Sequence, residues 1–285
     1  MTKVDILYKD ICNKIIDSNS ITHQRALWSD GTPARTYHTF GVVNRYNLAN
    51  GEEFPILTLR KINWKAALNE ILWIWQKHSN NVHDLNSHIW DSWADDDGSI
   101  GKAYGYQLGI EYEWDNGLKM NQVDKIIWDL ENNPTSRRII GSMWNVKDLK
   151  DMNLNPCAYS MTFNVIDNRI NGILMQRSQD MFVAGNWNVV QYAILLMLFA
   201  KVTGFEAGEL VHVISDCHIY DRHVGYLNDM FHEPYVLTRP VIIGKDVYFD
   251  DFGTGKDAFY NFKEDMFHID NYEWYRDYKK IEVAI

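Results

Sequence analysis

A chain of 285 residues with 46% hydrophobic and 14% aromatic side chains can bury a substantial core. Six prolines and no biased or repetitive stretch leave little room for linkers, so one domain spanning 1–285 is expected. The formal net charge of −10 excludes a general nucleic-acid surface and hence a DNA partner, but not a small anionic ligand held by a local arginine cluster.

From the start, "MTKVDILYKDIC" lacks the unbroken apolar run of a signal peptide. Period-two alternation predicts a strand over 35–47. Residues 63–77 place Trp64, Ala67, Leu68, Ile71, Leu72 and Trp75 on one stripe, which predicts an amphipathic helix with Glu70 at the stripe's edge. Exposed loops follow at 94–99 and 112–120. "QVDKIIWDLENNP" (122–134) predicts a second helix, stopped by Asn-Asn-Pro. Strands are predicted at 138–144, 158–166 and 169–176, the last two joined by a hairpin turn in "IDNRING". Residues 188–203 predict a helix apolar nearly all round and therefore central. Its longest apolar run, "YAILLMLFA", is too short to span a bilayer, so no membrane partner is expected. A strand at 210–215 completes the set. Neighbouring strands and irregular helix spacing imply an α/β chain of the α+β type, a mixed sheet with helices packed on it. No G-x-G-x-x-G or P-loop is present. Cys12, Cys157 and Cys217 form no C-x-x-C pair, and an odd count without a secretion signal points to a reducing, cytoplasmic setting.

Four clusters carry chemistry. In "LNPCAYSMTF" (154–163) Cys157 opens the alternating strand, either as one more buried thiol or as a nucleophile on a rigid edge. Arg137 and Arg138 stand at the entry of one strand and Arg177 and Ser178 at the exit of another. Such groups suit bidentate phosphate capture, or surface ion pairing in an acidic protein. In "HVISDCHIYDRH" (212–223) His218 and Tyr220 share a strand face. The spacing of Asp216, Cys217, His218 and His223 matches no common zinc pattern, so no metal is expected and Cys217 reads as a core thiol. Glu70 is either a snorkelled surface group or a buried acid organising protons.

"EILWIWQ", "HIWDSWADDDGSIGKAYGYQ", "RRIIGSMWN", "LNPCAYSMTFNV", "QRSQDMF", "DCHIYDRH" and the terminal "EVAI", in that order, resemble the thymidylate synthase family from about residue 25 to the end. The resemblance implies that family's fold and the reductive methylation of dUMP to dTMP, with 5,10-methylenetetrahydrofolate as one-carbon donor and reductant. It implies that Cys157 adds to uracil C6, which makes C5 nucleophilic. An ordinary thiol, with pKa about 8.5, is only a few per cent thiolate at neutral pH, and Arg177 resembles the arginine whose charge favours the anion. By the same resemblance Arg25, Arg137, Arg138, Arg177 and Ser178 hold the phosphate. Gln176 lies with them in the dUMP site, and Arg137 and Arg138 reach into the partner of an obligate homodimer. His218 and Tyr220 would hold the ribose hydroxyl, and Asn188 would accept from uracil N3–H and donate to O4. Glu70 would manage protons, Tyr104 would assist removal of the C5 proton, and Asp180 would bind the pterin and contribute to the dUMP site. Trp90 and Trp93 would line the folate pocket, and the Ile285 carboxylate would close over it.

Two stretches depart from the family pattern. Ala158 stands where many members have histidine. In "VAGNWN" (183–188), Asn186 and Trp187 replace Pro and Phe, which leaves the geometry of that loop open. The nearest alternative is a dUMP hydroxymethylase of the same superfamily, with dCMP disfavoured by Asn188. A Cys157 thiol hydrolase using His212 or His218 and a non-catalytic nucleotide or RNA binder are further alternatives.

Overall fold

The computed structural model describes residues 1–49, 54–115, 117–232, 246–279 and 281–284, and excludes the side chains of residues 23–25. The first helix, α1 (Lys3–Asp17), starts at a reciprocal cap: Asp5 N–H donates to the Thr2 hydroxyl, and Thr2 N–H donates to the Asp5 carboxylate. The same carboxylate accepts from the Thr58 and Leu59 N–H groups, tying a distant segment to the helix start. β1 (Ile21–Leu27) and β2 (Pro33–Asn47) precede α2 (Trp64–Trp75), α3 (Gly105–Gly109), β3 (Tyr112–Glu113), β4 (Lys119–Met120) and α4 (Gln122–Asn132). Then come β5 (Ile139–Ser142), β6 (Ala158–Ile166), β7 (Arg169–Asp180), α5 (Trp187–Thr203) and β8 (Glu206–Tyr220). The last elements are α6 (Val224–His232), β9 (Val247–Phe249), α7 (Gly255–Asn261) and β10 (Phe267–Ile269).

Six strands form one mixed sheet in the order β1-β2-β8-β7-β6-β5, with β7 and β8 parallel and the other pairs antiparallel. The expected mixed sheet with packed helices is therefore the observed architecture. α5 lies on β7 and β8, α1 on β2 and β8, and α4 on β5, while α2 covers α5 from outside. Being covered on both sides, α5 is buried nearly all round, as its composition demands. The β6–β7 hairpin turns at Asp167 and Asn168, whose φ of +50° and +62° are the left-handed pair a two-residue turn needs.

The structure departs from expectation in places. β3 pairs with β4 within the expected 112–120 loop, and α1, β1, α6 and α7 were not anticipated. Glu70 is not a surface group: α2 is buried from Glu70 through Trp75 because α5 covers the side the stripe left open. In β6 a bulge breaks the alternation, since Ala158 faces Gln176 but Ser160 faces Met175. Tyr159 is the extra residue. Met161 and Phe163 stay buried, while at the strand's start the buried side chain is Ala158.

This topology gathers one end of the sheet. β6 starts where β7 ends, with Ala158 opposite Gln176. β7 and β8 run in parallel and finish side by side, Ser178 beside Asp216 and Asp180 beside His218. α5 begins a few residues after β7, so Asn188 lies at the same end.

Candidate active site

Cys157 is partly buried on the loop leading into β6. Its N–H donates to the Tyr104 hydroxyl (2.9 Å), and its carbonyl accepts from Arg177 N–H (2.9 Å). The Arg177 guanidinium is held by the same loop: Nε donates to Pro156 O (3.0 Å) and Nη2 to Asn155 O (2.7 Å), leaving Nη2 3.7 Å from Cys157 Sγ. Nη1 makes no hydrogen bond among the described residues and can meet an anion. The expected support for the thiolate has the right sign but loses to burial. Burial pushes the Cys157 thiol up, against the Arg177 charge and a hydrogen bond with Tyr104, so without ligand the thiol form dominates.

Tyr104 is buried against Trp90, with ring centroids 5.1 Å apart, and its backbone sits at φ +46°. The next residue must be glycine, because a Cβ on Gly105 would lie 2.4 Å from Ser79 O. Burial, then the neighbouring Cys157, raises the Tyr104 phenol well above its ordinary value, so the hydroxyl keeps its proton.

Glu70 lies behind this pair. Its Oε1 accepts from Trp90 Nε1 (2.9 Å), and its Oε2 from Trp187 Nε1 (2.6 Å) and Gln191 Nε2 (2.9 Å). Burial pushes the carboxyl above the usual range, and the three N–H donors offset part of that. Trp90 is thus anchored by Glu70, and Trp93 stacks edgewise on it at 5.7 Å. The departures in the 183–188 segment are structural commitments: the Asn186 amide accepts from Leu57 N–H and donates to Pro55 O, and Trp187 supplies the indole to Glu70.

Asn188 accepts from Gln176 Nε2 (3.2 Å) and donates to Gln191 Oε1 (3.0 Å). Gln176 Oε1 in turn accepts from His212 Nε2 (2.7 Å). Asp180 Oδ1 caps the turn after β7, accepting from Phe182 and Val183 N–H. His218 Nδ1 pairs with Asp216 Oδ1 (2.8 Å), and its ring meets Tyr220 edge-on at 5.4 Å. Burial opposes ionisation of Asp216, yet His218 and then His38 outweigh it and hold the carboxyl below its ordinary value. Ser178 is partly buried beside Asp216. The structure therefore brings together Cys157, Arg177, Ser178, Tyr104, Glu70, Trp90, Trp93, Gln176, Asn188, Asp180, His218 and Tyr220.

Arg137 and Arg138 are not in this group. They are exposed, just before β5. Ile139 pairs with Phe163, six residues along β6 from Cys157, which puts the arginines roughly 20 Å from that sulfur. Arg25 lies in β1, next to the start of β2, but its side chain is outside the described residues, as is Ile285. The described tail ends against the same end of the sheet: Ala284 packs with Trp28 and Ala34, and Glu282 accepts from Arg222 and Ser29. Among the described residues no group of His, Cys, Asp or Glu could hold a metal, and no helix is long and apolar enough to cross a membrane.

Sequence reasoning missed Gln191, Trp187 and a structural role for His212. The available signal was polarity out of place: a glutamine in an apolar helix and a histidine at an inward strand position.

A family model described as thymidylate synthase matches residues 6–285. The chain is 41% identical to the thymidylate synthase of Bacillus subtilis subsp. natto and 40% identical to that of Bacillus phage phi3T, covering 100% of both chains in each comparison. The thermostable thymidylate synthase A from Bacillus subtilis superposes with a TM-score of 0.89 at 38% identity, again over 100% of both chains.

Proposed function

The chain belongs to the thymidylate synthase family and is a methyltransferase forming dTMP from dUMP, and we propose that Cys157 is the nucleophile of that reaction. The carrying observation is the Cys157 sulfur 3.7 Å from an arginine fixed by two backbone carbonyls, with Tyr104 and the buried Glu70 behind it. The dUMP hydroxymethylase reading is not favoured, because the full-length relatives are thymidylate synthases.

Uracil C5 is too weak a nucleophile to attack an electrophilic one-carbon unit. Addition of Cys157 Sγ to C6 places electron density on C5 and O4. Arg177 steadies the sulfur as it ionises, and its Nη1, with Ser178, is left to meet the phosphate; Arg25 is assigned to the same phosphate by family resemblance alone. Asn188 offers its oxygen to N3–H and an N–H to O4, while His218 and Tyr220 take the ribose hydroxyl. The C5 proton passes by way of the Tyr104 hydroxyl toward Glu70, the acceptor, whose affinity for a proton burial raises. Methylenetetrahydrofolate supplies the methylene and the hydride. The residues present suit it: Trp90 and Trp93 form an aromatic wall, and Asp180 keeps a carboxylate oxygen for ring N–H groups. An open groove lined by Lys61, Asn63, Val183, Trp187 and Tyr278 adjoins them.

Residues 1–285 act as one domain, working as an obligate homodimer in the cytoplasm. Two observations support the dimer. Arg137 and Arg138 are too far from Cys157 to serve their own subunit. The sheet face away from the helices also carries apolar rows, Ile140–Thr162–Ile173–Val211 and Val43–Val213–Met175, with Val43 56%, Ile140 47% and Ile173 42% exposed. Seating that face on a second copy brings each arginine pair to the other's phosphate. Incubating the chain with dUMP and methylenetetrahydrofolate tests the reading. One dihydrofolate per dTMP is expected; hydroxymethyl-dUMP without dihydrofolate would overturn it.

A further inference from the structure

Behind the base-reading amide runs a directed chain of buried hydrogen bonds. His212 Nε2 donates to Gln176 Oε1 (2.7 Å), Gln176 Nε2 to Asn188 Oδ1 (3.2 Å), Asn188 Nδ2 to Gln191 Oε1 (3.0 Å) and Gln191 Nε2 to Glu70 Oε2 (2.9 Å). Its direction is fixed by acceptors that cannot donate. Gln176 Nε2 also reaches Ser178 O (2.9 Å), and Gln191 Nε2 also reaches Ala67 O (3.2 Å). Neither glutamine can turn over without facing its oxygen to a carbonyl, so Gln191 presents an acceptor to Asn188 and Gln176 presents a donor. The Asn188 amide is held from both sides in one orientation.

We propose that Gln191 is a specificity-determining residue, which makes the site read uracil and refuse cytosine by fixing which end of the Asn188 amide is the acceptor. The inference rests on the assignment of Asn188 as the base reader. Uracil offers a donor at N3 and an acceptor at O4, whereas cytosine offers the reverse pattern, an acceptor at N3 and a donor at N4. An amide free to rotate end for end would serve both edges. A pinned amide leaves polar groups unpaired against cytosine. Gln191 is 1% exposed within the 189–200 stretch of α5, whose other residues are all hydrophobic, a placement that costs stability unless both ends of the amide are used, as they are. At the far end burial pushes His212 down to about 3, so it stays neutral with its Nε2 proton as the fixed donor.

The test compares kcat/KM for dUMP and for dCMP in the full-length enzyme. Gln191→Met keeps length and burial but neither hydrogen bond, and the dUMP/dCMP ratio is expected to fall about tenfold or more. A ratio is independent of the active fraction, so partial folding does not mask the result. A ratio within about twofold of wild type overturns the proposal even if both rates drop. Gln191→Glu, sharing one proton with Glu70, still accepts from Asn188 and is expected to restore the ratio; a value as low as that of Gln191→Met would count against the lock. Asn188→Ala separates the two levels. Undiminished use of dUMP by that variant refutes the base-reading role, whereas its loss alongside an unchanged Gln191→Met ratio refutes the role of Gln191 alone.

Discussion

Arg177 Nη2 stands 3.7 Å from Cys157 Sγ while the same guanidinium is tied to Pro156 O and Asn155 O. The arginine is thus positioned by the loop that carries the sulfur. Its charge favours the thiolate, but burial is the larger effect. The rate of alkylation of Cys157 against pH is therefore expected to inflect above the ordinary thiol value of about 8.5, and Arg177→Ala should move the inflection higher still. Cys12 and Cys217 stay silent, being buried, with Cys217 pushed up to about 12. An inflection below about 7, or one indifferent to Arg177, contradicts this reading.

Tyr104→Phe removes the acceptor for the Cys157 N–H and the hydroxyl beside the sulfur. Leaving that donor unpaired costs about 1–3 kcal/mol, and loss of a group handling the C5 proton lowers kcat about 10²–10⁴-fold. Thermal unfolding and steady-state kinetics on the same preparation separate the two effects. A variant that lost stability alone would assign Tyr104 a purely structural part.

Glu70→Gln tests a sign. The folded carboxyl holds its proton more tightly than the unfolded one. Between the unfolded value, about 4.3, and the raised folded value, the native state therefore binds more protons, and wild-type stability falls as pH rises. The amide variant lacks that slope. Its mismatch with the three N–H donors is a constant offset, so the difference in Tm (variant minus wild type) should increase with pH across that window and then level off. A difference that declines with pH would show Glu70 to be more acidic in the fold. Trp187→Phe removes one donor and should raise the carboxyl further, moving the Glu70 limb of the kcat profile to higher pH.

The parts of this molecule that local pattern encodes were legible. The Asp167–Asn168 turn, the 158–166 strand and the three central helices follow from turn chemistry and periodicity in adjacent residues. Glu70 was ambiguous because its burial depends on α5, more than a hundred residues later, lying over α2. The bulge at Tyr159 left no mark, since Ala158 and Tyr159 fit either phase of the alternation. Cys157 and Arg177 were recognisable as chemistry, but the balance between burial and charge at the sulfur is a property of packing. The chain through His212, Gln176 and Gln191 joins β8, β7 and α5, and no single window contains it.

The distance between Arg137 and Cys157 within one chain gives a mixing prediction. Arg137→Ala and Cys157→Ala homodimers should each be nearly inactive. After exchange of subunits, one site of each mixed dimer has both its own cysteine and the partner's arginine. Activity should then return to about a quarter of wild type, from random assortment of subunits. Mixtures that stay inactive after exchange would place both residues in the same chain's site.

The most direct test is dTMP formation by Cys157→Ala. If the sulfur must bond to uracil C6 before C5 can react, turnover falls by at least about 10⁴-fold while the variant still folds and binds dUMP. Turnover within about tenfold of wild type would contradict covalent activation by Cys157 outright.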